Sequence, residues 1–261
     1  MRRRIRAAVC CLLACLLLLS GCGQEIRDSV DHAENSTSIL EADPESLDDI
    51  TMEGLVSEVL GEMTLEQKIG QLFIVSTDSL DFNAETKMTD AMKTNIEKYQ
   101  PGGVIFFSFN LTNTNKVANN RKRLQRFIRK MQKNSTVPLF ISVDEEGGTV
   151  ARIANSGGMG TTKFPSMSEI GATGDASQAY NVGATIGQEI SALGFNLNFA
   201  PVADISTNTE NTEIGARSFG SDPALVADMV SEEVRGLQEN GVSATLKHFP
   251  GQGDSGDDTH K

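Results

Sequence analysis

Residues 137–148 read VPLFISVDEEGG, a mostly apolar run that ends directly in three acidic residues and two glycines. A short apolar run of this kind is typical of a parallel strand that is buried on both faces. The acidic residues then follow the carboxyl end of the strand, at the edge of a parallel sheet where binding and catalytic sites are built. This segment predicts an α/β fold with Asp144 at its functional edge.

The sequence on both sides of this segment alternates between helix and strand periodicity. Residues 64–67 (TLEQ) fit a capping box that opens a short helix. Further helices are predicted over 89–99, 115–133, 176–193 and from Ser221 or Asp222 to Asn240, and further strands over 72–76, 104–107, 197–202 and 242–246. Short connections between such elements favour a (β/α) barrel or a doubly wound sheet, which periodicity alone does not separate. We expect about six strands in the chain as a whole, whereas a closed barrel has eight.

The first 21 residues have the features of a bacterial lipoprotein signal peptide. MRRRIR is a cationic start, and residues 7–19 (AAVCCLLACLLLL) form an apolar run that is too short for a membrane span of about 20 residues. Residues 19–22 (LSGC) resemble the lipobox, in which the cysteine is diacylated and becomes the new N-terminus. We therefore expect a lipid on Cys22 and an extracytoplasmic location, anchored to the bacterial cell membrane. The alternative is an ordinary secretory signal cut nearby, which leaves Cys22 as an exposed thiol.

Composition divides the rest of the chain and excludes some functions. All four cysteines lie within residues 1–22, so the folded part uses neither a disulfide nor a thiolate metal site. Residues 22–54 are polar and acidic, which predicts a solvated tether, and residues 55–261 then form the globular domain. The formal net charge of −12 excludes a general nucleic-acid binder, because phosphate contacts need clustered Lys and Arg.

The residues best suited to acid–base chemistry lie in the last part of the sequence. Two of the three histidines, His248 and His260, share residues 247–260, which read KHFPGQGDSGDDTH. Histidine titrates near neutral pH without tuning, and a carboxylate two residues away can orient it and stabilise its cationic form. Asp258 and His260 are therefore a candidate acid/base pair if the loop is extended there. Without its context, an Asp-x-His pair also fits an exposed loop histidine.

The same segment resembles the signature of the glycoside hydrolase family 3 β-N-acetylhexosaminidases, K-H-F-P-G-H-G-D-T-x-x-D-S-H, with Gln252 where the family usually has His. Further stretches resemble that family in the same order: residues 63–72 (MTLEQKIGQL), 144–152 (DEEGGTVAR), 198–204 (NFAPVAD) and 214–220 (IGARSFG). The resemblance covers the chain from about Leu55 to Lys261. It implies a TIM-like (β/α)8 barrel, of which this chain holds an incomplete part.

The resemblance also implies a function. The expected protein is a retaining glycoside hydrolase that removes terminal β-linked N-acetylglucosamine from glycans such as peptidoglycan fragments. Asp258 and His260 would form its acid/base dyad, and no metal or organic cofactor is implied. The residues implied for the sugar subsite are Asp144, Arg152, Arg217, Lys247 and His248. An aspartate gripped by arginine suits the binding of hydroxyl pairs, and the alternative is a structural salt bridge at the sheet edge.

The end of the sequence departs from the family pattern. The family's catalytic nucleophile is an Asp further downstream, whereas this sequence stops at Lys261. Retention of configuration needs both a nucleophile and an acid/base. We therefore expect the chain by itself to be truncated and inactive, and we expect a monomer whose partner is the glycan.

Three other interpretations compete with this one. Residues 251–256 (GQGDSG) fit a dinucleotide-binding loop, but acidic residues around them would repel phosphate and no helical sequence follows. Asp254, Asp257, Asp258 and His260 are suitable metal ligands without a regular spacing. The chain can also be interpreted as a lipid-anchored carbohydrate-binding or scaffold protein without catalytic turnover.

Overall fold

The computed structural model describes residues 52–83, 85–111, 114 and 116–256. The lipidation candidate Cys22 and the predicted acid/base pair Asp258 and His260 lie outside these residues. The chain divides into two units, Met1–Ile69 and Gly70–Lys261. In the described part of the chain, no helix is both long enough and apolar enough to span a membrane.

The first unit is described from residue 52 onward, where it contains α1 (Met52–Glu62) and most of α2 (Leu65–Gly70). The predicted capping box is present at the start of α2. The N–H of Gln67 donates to Thr64 Oγ1 at 3.3 Å, and the N–H of Thr64 donates to Gln67 Oε1 at 3.0 Å. These bonds satisfy N–H groups that have no acceptor within the helix.

The second unit is built on a five-stranded parallel sheet whose strands follow one another in chain order. Its strands are β1 (Ile74–Ser76), β2 (Gly103–Phe106), β3 (Phe140–Val143), β6 (Leu197–Asn198) and β7 (Ser243–Ala244). A separate antiparallel hairpin, β4 (Glu145–Gly147) and β5 (Val150–Ala151), follows β3. A sheet without reversal of strand order is that of a (β/α) barrel, whereas a doubly wound sheet reverses at a switch point. The structure therefore favours part of a TIM-like barrel.

The sheet has fewer and shorter strands than predicted. The described residues contribute five strands to it, where the sequence indicated about six. The strand predicted over 137–143 begins at Phe140, and the one predicted over 197–202 ends at Asn198. Pro138 and Pro201 lack the N–H that a ladder needs, so the regular ladder begins after the first and ends before the second.

The predicted helices are present with small shifts at their ends. The α-helices that lie within the described residues of the second unit are α3 (Thr77–Leu80), α4 (Asp90–Tyr99), α5 (Val117–Asn134), α6 (Arg152–Ser156), α7 (Met167–Gly171), α8 (Ala176–Ser191) and α9 (Pro223–Glu239). Asp222, not Ser221, caps α9, since its Oδ1 accepts the N–H of Ala224 at 2.9 Å. Pro223 follows in the first turn, where no N–H is needed.

The core lies between the sheet and the helices packed on it. Phe106 of β2 is fully buried and meets Phe127 of α5 and Phe195 edge to face, with ring centroids 5.5 Å apart in both pairs. The buried apolar residues of α5 recur at the predicted helical spacing: Leu124, Phe127, Ile128 and Met131. Full burial of one such side chain stabilises the fold by about 1.5–3 kcal/mol.

Helices α8 and α9 approach backbone to backbone. A Cβ added to Gly183 would lie 2.3 Å from the backbone oxygen of Glu233, and one on Gly236 would lie 2.5 Å from that of Tyr180. Neither distance is a permitted contact, so only glycine fits at these two positions. This close approach places the middle of α9, including the side chain of Glu233, in the interior.

Candidate active site

The acidic residues after β3 are arranged by a tight hairpin. Asp144 follows β3, and the chain then runs through β4, turns at Gly147 and Gly148 and returns through β5 to Arg152. Both glycines have positive φ, 91° and 57°, in the left-handed region that favours glycine. The turn brings Arg152 back to Asp144, with 3.8 Å between Nε and Oδ2.

Glu145 anchors this hairpin to the fold. Its carboxylate accepts the N–H of Ile153 at 2.7 Å and that of Ala154 at 3.0 Å, in the first turn of α6. Asn198 of β6 holds the Glu145 backbone by accepting its N–H at 3.0 Å and donating to its carbonyl oxygen at 2.9 Å. Burial raises the pKa of Glu145 to about 7, although the two N–H bonds to its carboxylate act to lower it. Its role is therefore structural.

Lys247 and Arg217 join the acidic hairpin from distant parts of the chain. Lys247 Nζ lies 2.9 Å from Asp144 Oδ1 and also contacts Glu146 Oε1. Arg217 grips Glu146 with two parallel bonds, Nη2 to Oε1 at 2.8 Å and Nε to Oε2 at 2.9 Å. Such a fork fixes the plane of the guanidinium as well as its position. Burial acts to lower the pKa of Arg217, but hydrogen bonding to Glu146 and nearby carboxylates outweigh it and raise the pKa.

A histidine held by a buried aspartate extends this network. His248 Nδ1 lies 2.6 Å from Asp204 Oδ2, and His248 Nε2 lies 3.3 Å from Arg217 Nη2. Gln252, which replaces the family's usual histidine, contributes its backbone N–H, which donates to Asp204 Oδ1 at 2.6 Å. The contacts thus run without a break from Asp144 to Gln252.

The structure brings together all of the residues predicted for the sugar subsite, namely Asp144, Arg152, Arg217, Lys247 and His248. Sequence reasoning missed Glu146, which contacts both Lys247 and Arg217. A signal for it was available, because alternate residues of an extended strand share one face. That spacing puts Asp144 and Glu146 on the same face and Glu145 on the other.

The arginine fork is on a different carboxylate from the one expected. The sequence suggested that Asp144 is gripped by arginine, but the bidentate partner of Arg217 is Glu146. Arg152 approaches Asp144 only to 3.8 Å, and its Nε has no hydrogen-bond partner among the described residues. The Arg152 side chain is 39% exposed. Arg152 is therefore a candidate for contact with a ligand that also reaches Asp144, with its Nε atom itself buried.

A further carboxyl group, Glu233 of α9, is buried within electrostatic reach of this network. It is 1% exposed, and in the described part of the chain neither of its side-chain oxygens has a hydrogen-bond partner. Burial, together with the charge of Glu146, raises the pKa of Glu233 to about 8, while Lys247 acts to lower it. Glu233 is therefore a neutral carboxylic acid at pH 7.

The arrangement suits a polar ligand without net charge. Three carboxylates alternate with three cations: Asp144, Glu146 and Asp204 with Arg152, Arg217 and Lys247. Sugar hydroxyls can donate to such carboxylates and accept from such cations. Ion pairing holds the side chains in place before a ligand arrives. Among the described residues, no group of three or more His, Cys, Asp or Glu side chains is placed to hold a metal ion.

The segment after His248 rests on the loop that follows β6. Asn211 Nδ2 donates to the backbone oxygen of Gln252 at 2.7 Å, and Thr207 Oγ1 donates to Asp254 Oδ1 at 2.7 Å. A Cβ on Gly253 would lie 2.1 Å from the backbone oxygen of Ile205, so this glycine permits the close approach. Residues 251–256 contain a turn at Gly253 and Asp254 and are not themselves helical, whereas a dinucleotide site needs a helix N-terminus at that point.

Comparison with known proteins agrees with this geometry. Residues 64–261 match the family described as the glycosyl hydrolase family 3 N terminal domain. The match extends over most of the chain, including every side chain of the network. The chain belongs to this family.

The similar proteins are hexosaminidases and glucosaminidases. β-Hexosaminidase A of Pseudoalteromonas piscicida is 38% identical over 181 residues, which cover 68% of this chain and 29% of that protein. The β-N-acetylglucosaminidase/β-glucosidase of Cellulomonas fimi is 34% identical over 85% of this chain and 35% of its own length. The solved structure of a glycoside hydrolase family 3 β-N-acetylglucosaminidase from Paenibacillus sp. str. FPU-7 matches with a TM-score of 0.66 at 40% identity, over 76% of this chain and 35% of that one. This chain thus spans 29–35% of the length of these relatives.

Proposed function

We propose that the protein is a β-N-acetylglucosaminidase, a retaining glycoside hydrolase that removes terminal β-linked N-acetylglucosamine from glycans such as peptidoglycan fragments. The observation that carries the proposal is the charge-balanced network in which Lys247 and Arg217 hold Asp144 and Glu146. These side chains follow the carboxyl ends of the parallel strands, where barrel enzymes build their sites. The relatives named as a β-hexosaminidase and as a β-N-acetylglucosaminidase/β-glucosidase support the same conclusion.

Asp144 and Arg152 form the part of the network that is open to a sugar. Lys247 occupies Oδ1 of Asp144 at 2.9 Å, while Oδ2 faces Arg152 at 3.8 Å. A pair of adjacent hydroxyls can bridge these two side chains, since one can donate to Oδ2 while the other accepts from the guanidinium. Hydrogen bonds to charged groups contribute about 1.5–3 kcal/mol each. Two such bonds account for recognition of one sugar residue.

Turnover with retention needs an acid/base and a carboxylate nucleophile. We assign the acid/base role to Asp258 and His260, which follow the network in sequence. The carboxylates of the network are poor nucleophiles, because Asp144 and Glu146 are paired with cations and Asp204 accepts three hydrogen bonds. We therefore assign the nucleophile to a carboxylate outside the network.

We also propose that the protein is a bacterial lipoprotein anchored through Cys22 on the extracytoplasmic face of the membrane. The cationic start, the short apolar run and the LSGC segment support this location. Proximity to the cell wall is the reason for proposing peptidoglycan fragments as substrate. Mass spectrometry of the N-terminal peptide should show a diacylated Cys22, and an unmodified N-terminus at another residue would refute the anchor.

The activity is tested with a fluorogenic β-N-acetylglucosaminide, on this chain and on a version extended to the length of its relatives. We expect hydrolysis by the extended protein and a loss of kcat/KM of about tenfold or more in Asp144→Asn, because a charge-assisted hydrogen bond to the sugar is lost. Asp228→Asn, an exposed change on α9, is the control for the lost charge. A folded extended protein that does not hydrolyse the substrate would refute the enzymatic proposal.

A lipid-anchored carbohydrate-binding protein without turnover is the second candidate. The observation in its favour is that the acids of the network are neutralised by partners, which suits binding and not chemistry. Saturable binding of N-acetylglucosamine by a folded extended protein that does not hydrolyse the fluorogenic substrate would select it.

A further inference from the structure

Asp204 is the carboxylate that contacts His248, the histidine of the site. Its side chain is fully buried. Oδ2 accepts from His248 twice, from Nδ1 at 2.6 Å and from the backbone N–H at 3.0 Å, and Oδ1 accepts the N–H of Gln252 at 2.6 Å. Ser218 Oγ donates to the backbone carbonyl oxygen of Asp204 at 2.6 Å. A side chain held at this many points has one orientation.

The protonation of Asp204 follows from these bonds. Burial acts to raise its pKa, but the bonds from His248 and from the Gln252 N–H outweigh burial and lower the pKa. An ionised carboxylate only accepts hydrogen bonds. The 2.6 Å contact with His248 Nδ1 therefore requires a hydrogen on Nδ1.

The opposite side of the imidazole makes the same selection independently. His248 Nε2 lies 3.3 Å from Arg217 Nη2. A guanidinium only donates, so Nε2 must be the acceptor and carry no hydrogen. Asp204 and Arg217 therefore both select the neutral tautomer with hydrogen on Nδ1, whereas free histidine in water favours hydrogen on Nε2.

We propose that Asp204 is a positioning residue that holds His248 in the Nδ1–H tautomer, so that Nε2 fixes the guanidinium of Arg217 in the sugar subsite. Arg217 has five N–H groups. Within the described residues, four of them have acceptors: Nε–H and one Nη2–H on Glu146, the other Nη2–H on His248, and one Nη1–H on the Glu213 carbonyl oxygen at 2.9 Å. The remaining Nη1–H is the donor that Arg217 offers to a ligand. The binding of a sugar hydroxyl by this N–H rests on the proposed function, whereas the tautomer of His248 does not depend on it.

The first test is the tautomer itself, read from imidazole ¹⁵N and ¹H signals of the chain labelled with ¹⁵N-histidine over a pH series. The signals of His248 are assigned by their loss in His248→Asn. We expect the neutral form to carry hydrogen on Nδ1. A neutral form with hydrogen on Nε2 overturns the proposal, and this result needs no variant that alters the buried aspartate.

The second test is Asp204→Asn, compared with Asp228→Asn as the matched change of charge at an exposed site. An asparagine has one acceptor oxygen and cannot serve both His248 and Gln252, which leaves Arg217 as the remaining contact that selects the tautomer. We therefore expect the fraction of neutral His248 with hydrogen on Nδ1 to fall in Asp204→Asn and to stay unchanged in Asp228→Asn. An unchanged tautomer in a folded Asp204→Asn protein overturns the positioning role.

N-acetylglucosamine titrated into the same samples separates this inference from the proposed function. We expect the sugar to shift the His248 signals of the unaltered chain and to bind about tenfold more weakly to Asp204→Asn. Sugar binding of equal strength in both proteins overturns the link between Asp204 and the subsite. The expected tautomer without any sugar binding supports the positioning of His248 and refutes the proposed function instead.

Discussion

Glu233→Gln tests whether a neutral carboxylic acid is buried in the core beside the charged network. Glu233 lies on the interior face of α9, which it shares with Val226, Met229, Val230 and Leu237. It is 1% exposed, and its pKa is raised from 4.5 to about 8, first by burial and then by the charge of Glu146. An unpaired carboxylate in such a place is costly, so the group keeps its proton.

The size and sign of the effect follow from linkage. Between pH 4.5 and about 8 the folded chain holds a proton on Glu233 that the unfolded chain has released, so the free energy of unfolding falls as the pH rises. At about 1.4 kcal/mol per pKa unit, this interval corresponds to about 5 kcal/mol. The stabilisation is fully present below pH 4.5 and lost above about pH 8. A loss of this size is comparable with the whole stability of many domains, about 5–15 kcal/mol.

Urea unfolding followed by circular dichroism between pH 5 and pH 9 measures this directly. The amide of Glu233→Gln does not titrate, so we expect the variant to match the unaltered chain within about 1 kcal/mol at pH 5. At pH 9 it should be more stable by several kcal/mol, up to about 5. The titration of Glu145 is common to both proteins and cancels in the difference.

Glu232→Gln is the matched control, because Glu232 neighbours Glu233 on α9 and pairs at the surface with Arg235. Its removal should change the free energy of unfolding by less than about 1 kcal/mol at any pH. Parallel pH profiles for Glu233→Gln and the unaltered chain would refute the burial of a protonated carboxyl group.

Three further predictions concern the site and the helices behind it. Arg217→Lys replaces a two-pronged contact with Glu146 by a single ammonium, and we expect N-acetylglucosamine to bind about tenfold or more weakly by NMR titration; equal affinity would remove Arg217 from the subsite. His260→Ala in the extended protein should lower turnover of the fluorogenic substrate by about a hundredfold or more, and unchanged rate constants would exclude it as the acid/base. Gly183→Ala puts a methyl group 2.3 Å from the Glu233 carbonyl oxygen and should lower the free energy of unfolding by about 1–3 kcal/mol, whereas Gly174→Ala, although strained by its positive φ, meets no atom within 4 Å.

The helices and strands could be placed from the sequence because their signals are local. Thr64 caps α2 by bonding a residue three positions away, and Asp222 caps α9 by bonding one two positions away. The apolar stripe of α5 and the apolar run that becomes β3 are visible in the same way. The strand ends were placed less well, although Pro138 and Pro201 are visible in the sequence and lack the N–H that a ladder needs.

The partners within the site could not be read in the same way. The contact between Lys247 and Asp144 joins residues 103 positions apart, and that between Arg217 and Glu146 joins residues 71 apart. The family resemblance identified five members of the network without saying which cation meets which carboxylate. The tertiary contacts made Glu146 a member of the network through Lys247 and Arg217, and they made Asp204 a member through His248.

The sequence alone determines the local elements, the family and the position of the polar residues after the strands. These features depend on residues within a few positions of one another. Only the tertiary structure showed that the arginine fork grips Glu146, that Asp204 and Arg217 contact opposite sides of the His248 ring and that Glu233 is buried. The pairing and the desolvation of charged side chains depend on which segments of the chain lie in contact. The residue type of a glutamate on a helix does not show whether its side chain is buried. Glu233 is buried because the backbones of α8 and α9 lie in contact at Gly183 and Gly236, which places this part of α9 in the interior.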